Sequence, residues 1–255
     1  MNTPAEVREQ IRAGKWNKPT TGFNFETLQA NIVILPVQYA GAFKEYTRSN
    51  PKPCPVLEVI HPGSYVSELA DGSDIRKDVP KYRIYRQGEL VEQAEDVTEI
   101  WQNDFVTFLI GCSFTFENAL IDSGIRLRHI EEKKNVAMYR TNIETVEAGP
   151  FHGPMVVSMR PVPQEQAKLA AEITEKFPRT HGGPVHIGDP REIGIQNLDQ
   201  PDYGEAIELK EGEVPVFWAC GVTPQEAVLR AKLPIAITHE PGHMFVMDKT
   251  YDELD

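Results

Sequence analysis

Residues 216–226 combine a reactive side chain with a turn that could bind an anion. An apolar run ends near Cys220, Gly221 permits a sharp turn, and Thr223 is the expected N-cap of a following helix. The unpaired N–H groups at the start of that helix attract a carboxylate, so a substrate could lie beside Cys220 with Gln225 as a further binding residue. The same pattern also fits a capped helix after a buried strand, with Cys220 as a small apolar residue.

A second candidate is Cys112, which follows a predicted strand that ends in an apolar run at Ile110. A cysteine at a helix N-terminus has a stabilised thiolate, so we expect a lowered pKa and a nucleophilic Cys112. Ser113 is the expected N-cap, and Glu117 lies one turn into the helix, within reach of the same pocket. A buried cysteine followed by a capping serine is the alternative interpretation.

Residues 181–190 form a Gly/Pro-rich segment that contains His181, His186 and Asp189. Such loops carry functional residues more often than core elements do. Histidine can act as a general base near neutral pH, and Asp189 could orient the ring of His186. The alternative is a polar loop in which Asp189 makes a turn before a proline.

His239, His243 and Asp248 near the C-terminus are further candidates, because together with the histidines of the preceding segment they could ligate a metal. Pro241-Gly242 interrupts any helix between the two histidines, and no cysteine pair has the spacing of a zinc site. We therefore expect no bound metal and keep His239 as a candidate catalytic residue.

Three arginines lie at or near the ends of predicted strands. Arg128, Arg140 and Arg160 each carry a planar guanidinium that matches a carboxylate, and a substrate with two carboxylates could use two of them. The phosphate-binding P-loop, the dinucleotide-binding glycine pattern after a strand and the nucleophile elbow of α/β-hydrolases are all absent from the sequence. The arginines thus favour a small carboxylate substrate, and ATP, NAD and α/β-hydrolase functions lose support.

Charge and composition narrow the class of partner. The net charge of -12 repels phosphate backbones, so we expect no nucleic-acid partner. No apolar run approaches the roughly 18 residues of a membrane span, and the N-terminus lacks the apolar core of a signal peptide. The three cysteines are widely spaced and odd in number, which is typical of reduced thiols. We expect a soluble cytoplasmic protein without a membrane partner; a homo-oligomer is compatible with the sequence.

The elements that must position these residues are short and alternate between strand and helix. This alternation predicts an α/β fold with mixed sheets, some parallel pairing and flanking helices. Residues 86–89 predict a hairpin turn. The expected helices are 4–13, 37–48, 113–122, 164–177 and 223–231, and the expected strands are 56–60, 82–85, 104–111, 136–140, 155–159, 214–219, 235–238 and 244–247, the last two as a closing pair.

A weak internal similarity supports two lobes. Residues 108–120 can be aligned with residues 217–229, and both run from an apolar strand through Gly and Cys into a helix. We place the boundary near residues 147–149, giving an N-terminal lobe of 1–147 and a C-terminal lobe of 148–255; one domain with an inserted subdomain is the alternative. A crevice between similar halves is a common place for a site.

Several segments, in order along most of the chain, resemble those of the D-glutamate cyclase family of hydro-lyases. One difference is Met247 before Asp248, where the family pattern has Thr. The matching segments are 29–31, 34–36, 50–55, 110–114 with Glu117, 153–161, 184–189, 217–225 and 238–244.

The resemblance implies a two-lobed α/β enzyme without an organic cofactor that converts D-glutamate to 5-oxo-D-proline with loss of water. The amine must lose a proton, an oxyanion must be stabilised and a hydroxyl must leave as water. From the residues we assign His186, supported by Asp189, as base and acid. Helix N–H groups near Ser113 or Thr223 would hold the oxyanion, and Arg160 or Arg128 would bind the α-carboxylate. Cys112 or Cys220 could instead attack first and form a thioester.

Three alternatives stay open at this point. The chain could be a lyase or hydrolase for another small diacid, a carboxylate-binding protein without activity, or a metal-dependent hydrolase. Product formation, ligand-induced stabilisation without turnover and metal content distinguish them.

Overall fold

The computed structural model describes residues 3–22 and 26–254. None of the helices in this described part is long and apolar enough to cross a membrane. In chain order the elements are α1 (Pro4–Arg12), β1 (Thr27–Pro36), α2 (Val37–Ser49), β2 (Val56–Ile60), β3 (Tyr82–Arg86), β4 (Glu89–Ala94), β5 (Phe105–Gly111), α3 (Phe114–Asp122), α4 (Arg128–Glu131), β6 (Ala137–Glu144), β7 (Pro154–Pro163), α5 (Ala167–Thr174), β8 (His186–Ile187), β9 (Glu213–Ala219), α6 (Thr223–Ala231), β10 (Ala236–His239) and β11 (Phe245–Thr250).

The larger sheet is built around β1. Its strand order is β2-β5-β1-β10-β3-β4, and β11 also pairs with β1. One edge of β1 pairs with β5 along seven residue positions, while the other edge is shared, with Val33 opposite Thr238 of β10 and Ala30 opposite Phe245 of β11. The last two strands of the chain therefore complete the sheet that the first strand begins.

Alternate residues of β1 point into two separate apolar cores, because side chains alternate between the faces of a strand. Ile32 and Ile34 pack in one core with residues such as Tyr82. Val33 and Leu35 pack in the other core, against Phe43 of α2 and its aromatic neighbours. This two-sided burial explains the continuous apolar run of residues 32–35 in β1.

The smaller sheet has the order β6-β7-β9-β8. Its longest pairing joins β7 and β9, from Val157 opposite Ala219 to Pro163 opposite Glu213. The α/β architecture with two sheets and flanking helices is confirmed. The expected parallel pairing is wrong, since all strand pairs among the described residues are antiparallel. The alternation of strands and helices suggested crossover connections between parallel neighbouring strands. The helices instead mostly join strands that are not neighbours in their sheet or that belong to different sheets.

Most predicted elements are confirmed to within a few residues. The hairpin β3–β4 turns through Gln87 and Gly88, both with positive φ, as expected for a two-residue turn. The closing pair is wrong, because β10 and β11 pair with different parts of β1. The predicted helix 164–177 is shorter, with a 3-10 turn at Gln164–Gln166 followed by α5.

The strand order bears on the division into lobes without testing it. Strands β6–β9 form the smaller sheet, whereas β10 and β11 return to the larger one. Strand β6 lies before the expected boundary at 147 but pairs with β7 after it. This arrangement fits the alternative of an inserted subdomain, and the lobes 1–147 and 148–255 stay a prediction.

Candidate active site between two strand-to-helix turns

Two similar turns, one from each sheet, meet at the two candidate cysteines. β5 leads through Cys112 into α3, and β9 leads through Cys220 into α6. Both cysteines belong to one apolar cluster, together with Phe114, Val222 and Met244. Cys112, Phe114 and Cys220 keep 5%, 8% and 8% of their surface exposed, while Val156 beneath them is fully buried. The N-terminal ends of two helices therefore meet at one nearly buried apolar cluster that contains both thiols, called the thiol cluster below.

Glycines at the two turns are required for space. A Cβ on Gly221 would lie 2.0 Å from the side-chain amide nitrogen of Asn31, and a Cβ on Gly111 would lie 2.1 Å from the carbonyl oxygen of Arg179. The expected turn at Gly221 is present, and neither glycine has a positive φ. Each glycine lets a polar segment approach its turn.

The thiols are protonated at neutral pH. Burial raises the pKa of Cys220 to about 11, and it raises the pKa of Cys112 further, although the backbone N–H of Phe114 opposes it. That N–H lies 3.5 Å from the sulfur of Cys112. The expected lowering of the pKa of Cys112 is therefore wrong, because loss of hydration outweighs the helix N-terminus.

The expected capping roles are also corrected. Ser113 stands at the N-cap of α3, but its hydroxyl makes no capping bond and accepts from Arg160 at 3.0 Å. Thr223 is already inside α6, whose N-cap is Val222. The Thr223 hydroxyl instead bonds both the N–H and the carbonyl of Val156. Both side chains fasten a turn to β7.

A buried ion pair lies under the first turn. Arg160 of β7 donates to Glu117 at 3.0 Å and to the hydroxyls of Ser113 and Ser158 at 3.0 Å each. His129 lies 3.0 Å from the same oxygen of Glu117. Burial raises the pKa of Glu117, but His129 and Arg160 outweigh it and the net shift is downward. Because Arg160 is neutralised here, the geometry favours a positioning role over the expected carboxylate clamp.

His239 on β10 is held by three polar neighbours at the second turn. Its Nδ1 lies 2.8 Å from the carbonyl of Glu240, which can only accept, so Nδ1 carries the proton. Its Nε2 lies 3.0 Å from the amide nitrogen of Gln225 and 3.0 Å from the side-chain oxygen of Asn31. The amide of Asn31 donates to Gly111 at 2.8 Å, which fixes its oxygen toward the ring.

These contacts poise His239 for proton transfer. Burial lowers its pKa to about 4, so the ring is neutral at neutral pH and Nε2 accepts from Gln225. The oxygen of Asn31 then faces a second acceptor, which is unfavourable. A proton on Nε2 would satisfy Asn31 and lose Gln225. The neutral ring therefore keeps Gln225 as the partner of Nε2, and the protonated ring keeps Asn31.

His181 lies against the first turn. Its Nδ1 lies 2.9 Å from the carbonyl of Lys52, and its Nε2 is buried without a hydrogen-bond partner among the described residues. The sequence pointed to its segment but chose His186 as the base. His186 is half-buried beside Phe217, its Nε2 lies 2.8 Å from the carbonyl of Asp189, and the carboxylate of Asp189 binds Arg191.

The remaining arginines have partners outside the thiol cluster. Arg128 pairs with the carboxylate of Glu213 near the far end of β9. Arg140 pairs with Glu226 in the first turn of α6, where the hydroxyl of Tyr203 also binds the same carboxylate. Arg140 is thus the nearer of the two, on the outer side of the second turn. Within residues 3–22 and 26–254, no group of three His, Cys, Asp or Glu side chains is placed to hold a metal ion.

Asn31 and His129 were not among the residues chosen from the sequence. Asn31 interrupts the apolar run of β1, and a lone polar residue in a buried strand is the pattern that could have identified it. No local pattern marks His129, because it reaches Glu117 from a short helix.

Comparisons with known proteins agree on one family. A family model described as D-glutamate cyclase matches residues 106–248. "Putative hydro-lyase cu1581" of Corynebacterium urealyticum is 55% identical, with 96% of this chain and 94% of that protein aligned. "Putative hydro-lyase YcsI" of Bacillus subtilis is also 55% identical, with 96% of both aligned. "Putative hydro-lyase GK2103" of Geobacillus kaustophilus is 52% identical over 98% of this chain and 95% of that protein.

One solved structure, a nitrogen repressor-like protein MJ0159 from Methanococcus jannaschii, aligns over 98% of this chain and 99% of its own. Its TM-score is 0.41 and its identity is 12%, so the likeness is too weak to support a conclusion about fold or function.

Proposed function

Since this chain belongs to the D-glutamate cyclase family, we propose that it is a hydro-lyase that converts D-glutamate to 5-oxo-D-proline with loss of water. One observation carries the proposal. Two strand-to-helix turns meet at one buried cluster that contains both thiols, and a neutral buried histidine lies against each turn. An intramolecular amide-forming reaction of an amino acid with two carboxylates needs such helix N-termini and proton carriers.

The two turns attract the substrate through their helices. A protein with a net charge of -12 repels an anionic substrate, so binding requires local positive potential. The first turns of α3 and α6 supply it, because the N-terminal end of a helix carries a partial positive charge. Two such ends can hold two carboxylates, or one carboxylate and the oxyanion that forms when the amine attacks the other.

His239 is the acid that protonates the leaving oxygen. Its Nε2 has the amide of Gln225 as donor and the oxygen of Asn31 as acceptor, each at 3.0 Å. The ring can therefore take up and release a proton with a partner in either state. Protonation at the leaving group typically contributes about 10²–10⁴-fold to a rate. The His186–Asp189 pair stays a prediction, and its partners favour His239 instead.

The amine attacks the γ-carboxyl carbon directly in this proposal. Cys112 and Cys220 stay thiols, because burial raises the pKa of both. They belong to a buried apolar cluster that excludes water and so favours loss of water over its addition. A thioester intermediate is the alternative, and the cysteine variants below decide between the two.

The test is direct. Purified protein is incubated with D-glutamate and, separately, with L-glutamate, and 5-oxoproline is followed by mass spectrometry against a heat-denatured control. We expect product from the D-isomer and a loss of at least about 100-fold in kcat for His239→Gln. If neither isomer reacts, a panel of small diacids tests the broader lyase reaction, and stabilisation by a diacid without turnover would indicate a binding protein.

A small amino diacid is the proposed partner of this protein, with no nucleic acid, membrane, metal or organic cofactor required. A cytoplasmic location and a homo-oligomer stay predictions, the second testable by light scattering of the purified protein.

A further inference from the structure

His181 has a backbone conformation that is uncommon for a residue with a side chain. It follows the 3-10 turn Pro178–Thr180 and has φ of +86°. The segment before it packs tightly against the first turn, because a Cβ on Gly111 would lie 2.1 Å from the carbonyl oxygen of Arg179. Left-handed backbone at a non-glycine residue persists only where its surroundings over-determine it, and such positions cluster at functional sites.

The ring of His181 presents one unused lone pair. The carbonyl of Lys52, 2.9 Å from Nδ1, can only accept, so Nδ1 carries the proton of the neutral ring. Nε2 is then an acceptor, in a side chain that is 1% exposed, and it has no hydrogen-bond partner in the described part of the chain. Buried polar atoms nearly always have partners, so an orphaned acceptor points to a ligand that brings a donor.

The surroundings place this lone pair beside the first turn, next to Cys112. The Gly111 backbone lies close enough to favour the protonated ring, and Gly111 directly precedes Cys112. The positive charges that face the ring are those of Lys52 and Arg160, and Arg160 also acts on both thiols. Burial, the largest cause, lowers the pKa of His181 to about 4 and keeps the ring neutral before substrate binds.

We propose that Nε2 of His181 is the proton acceptor for the ammonium group of the substrate, and that His181 rather than His186 is the base of this site. The inference rests on the proposed function and deepens it. It requires a hydrogen-bond donor on the substrate, here the ammonium group, because a carboxylate cannot donate to a bare nitrogen. Two histidines then divide the work, His181 at the amine and His239 at the departing oxygen.

The protons balance as follows in the reaction. One ammonium proton passes to Nε2 of His181, and the free amine forms the C–N bond to the γ-carboxyl carbon. A second proton leaves the nitrogen as the tetrahedral intermediate collapses, and one C–O bond breaks. The departing oxygen carries both of these protons away as water, by way of the two histidines, which end neutral. The third ammonium proton stays on the lactam nitrogen.

The decisive variant is His181→Asn. Asparagine tolerates left-handed backbone and can place its amide where Nδ1 donates to Lys52, but it lacks Nε2. We expect kcat with D-glutamate to fall at least 100-fold with KM changed less than threefold, and the acidic limb of the pH profile of kcat/KM to disappear. The control is His61→Asn at an exposed histidine, which should keep wild-type kinetics.

A second variant tests the chemistry apart from folding. His181→Gly suits a φ of +86° and leaves room for an imidazole, so added imidazole should restore at least tenfold of the lost activity. If neither variant folds, a long-range ¹H–¹⁵N spectrum of the wild type should show an unprotonated Nε2 that shifts when 5-oxoproline is added.

The outcomes separate the two proposals. Wild-type kinetics in His181→Asn, no rescue of an inactive His181→Gly, or an Nε2 that ignores 5-oxoproline would each overturn the role of His181 alone. No product from the wild type would overturn the proposed function, and the role of His181 with it.

Discussion

His181 and His239 have closely similar surroundings, although His181 lies at the first turn and His239 at the second. Each ring gives its Nδ1 proton to a backbone carbonyl, and burial lowers the pKa of each to about 4. Each histidine also depends on a nearby glycine that leaves space for an adjacent group. Gly111 leaves space for the segment before His181, and Gly221 leaves space for Asn31, which contacts His239. Neutral histidines held in one tautomer are the natural carriers for protons that must move twice.

This lowering of two pKa values predicts how stability depends on pH. The unfolded chain takes up these protons below about pH 6.5 while the folded protein does not, so the free energy of unfolding should fall as pH drops from 6.5 toward 4. Each histidine contributes up to about 1.4 kcal/mol per pH unit in this window. Urea unfolding at pH 7, 6 and 5 should give a shallower slope for His239→Gln than for the wild type.

The exposed His61 supplies the control for that experiment. His61→Gln should keep the wild-type slope. Equal slopes in all three proteins would mean that His239 is not held neutral by burial.

The cysteines predict a different kinetic result from the one a thiolate nucleophile would give. Because Cys112 and Cys220 are buried thiols, Cys112→Ala and Cys220→Ala should each keep kcat within about tenfold of the wild type. Loss of a buried sulfur should cost about 1 kcal/mol of stability. Steady-state kinetics and intact-protein mass spectrometry measure both possibilities. A loss beyond 1,000-fold in one variant, with an acyl adduct on the wild type, would restore the thioester route.

At the scale of elements, the turn after β9 has no room for a side chain at Gly221. Gly221→Ala places a methyl 2.0 Å from the amide of Asn31, so Asn31 must move away from His239. We expect a loss of about 1–3 kcal/mol in stability, as for other overpacked sites, together with reduced kcat. Gly41→Ala in α2 is the control, because nothing lies within 4 Å of its Cβ. It should be neutral or stabilise by about 0.5–1 kcal/mol; equal effects would refute the crowding argument.

The ion pair between Arg160 and Glu117 ties α3 to β7 out of contact with water. Arg160→Met leaves the Glu117 charge buried with only His129 beside it, so we expect a loss of about 3–5 kcal/mol in the free energy of urea unfolding. The pair Arg126–Glu131 has similar chemistry but is exposed. Arg126→Met should cost at most about 1 kcal/mol. Similar losses in both variants would show that burial is not what makes the first pair matter.

Local pattern predicted elements well where one period dominated. Strand β5 and helix α6 were predicted nearly to the residue, because an apolar run and a Gly-Val-Thr-Pro turn define them. Strand β1 was missed, since Gln29 and Asn31 interrupt its pattern with side chains whose partners come from elsewhere. Strand β4 was missed because it is an exposed edge strand without a buried face.

The site was predicted in part, for a related reason. Cys112, Cys220, Gln225 and His239 were chosen from their segments, and the structure brings these segments together. His181 could not be preferred over His186, because which of two nearby histidines is buried depends on the packing of Gly111 against another segment. Pairing between distant strands is likewise absent from a local pattern.

At the scale of the whole molecule, the larger sheet is closed by the end of the chain. Strand β10 lies between β1 and β3, so a fragment of residues 1–147 lacks a strand from the middle of that sheet. We expect this fragment to be unfolded or aggregated, as judged by circular dichroism and gel filtration, whereas the full chain unfolds cooperatively. A monomeric fragment with a cooperative transition would instead establish the boundary at 147 and argue against an inserted subdomain.

The position of β10 has a consequence for how the protein is made. Val33 cannot pair with Thr238 until that residue has been synthesised, 205 residues later. This takes roughly 10–40 s at ordinary rates of synthesis. During that time one long edge of β1 is unpaired and can associate with other nascent chains, which makes this stretch the natural client of a chaperone. The strand that relieves the exposure also delivers His239, so a newly made chain gains protection from aggregation and a complete proton-transfer site in the same step.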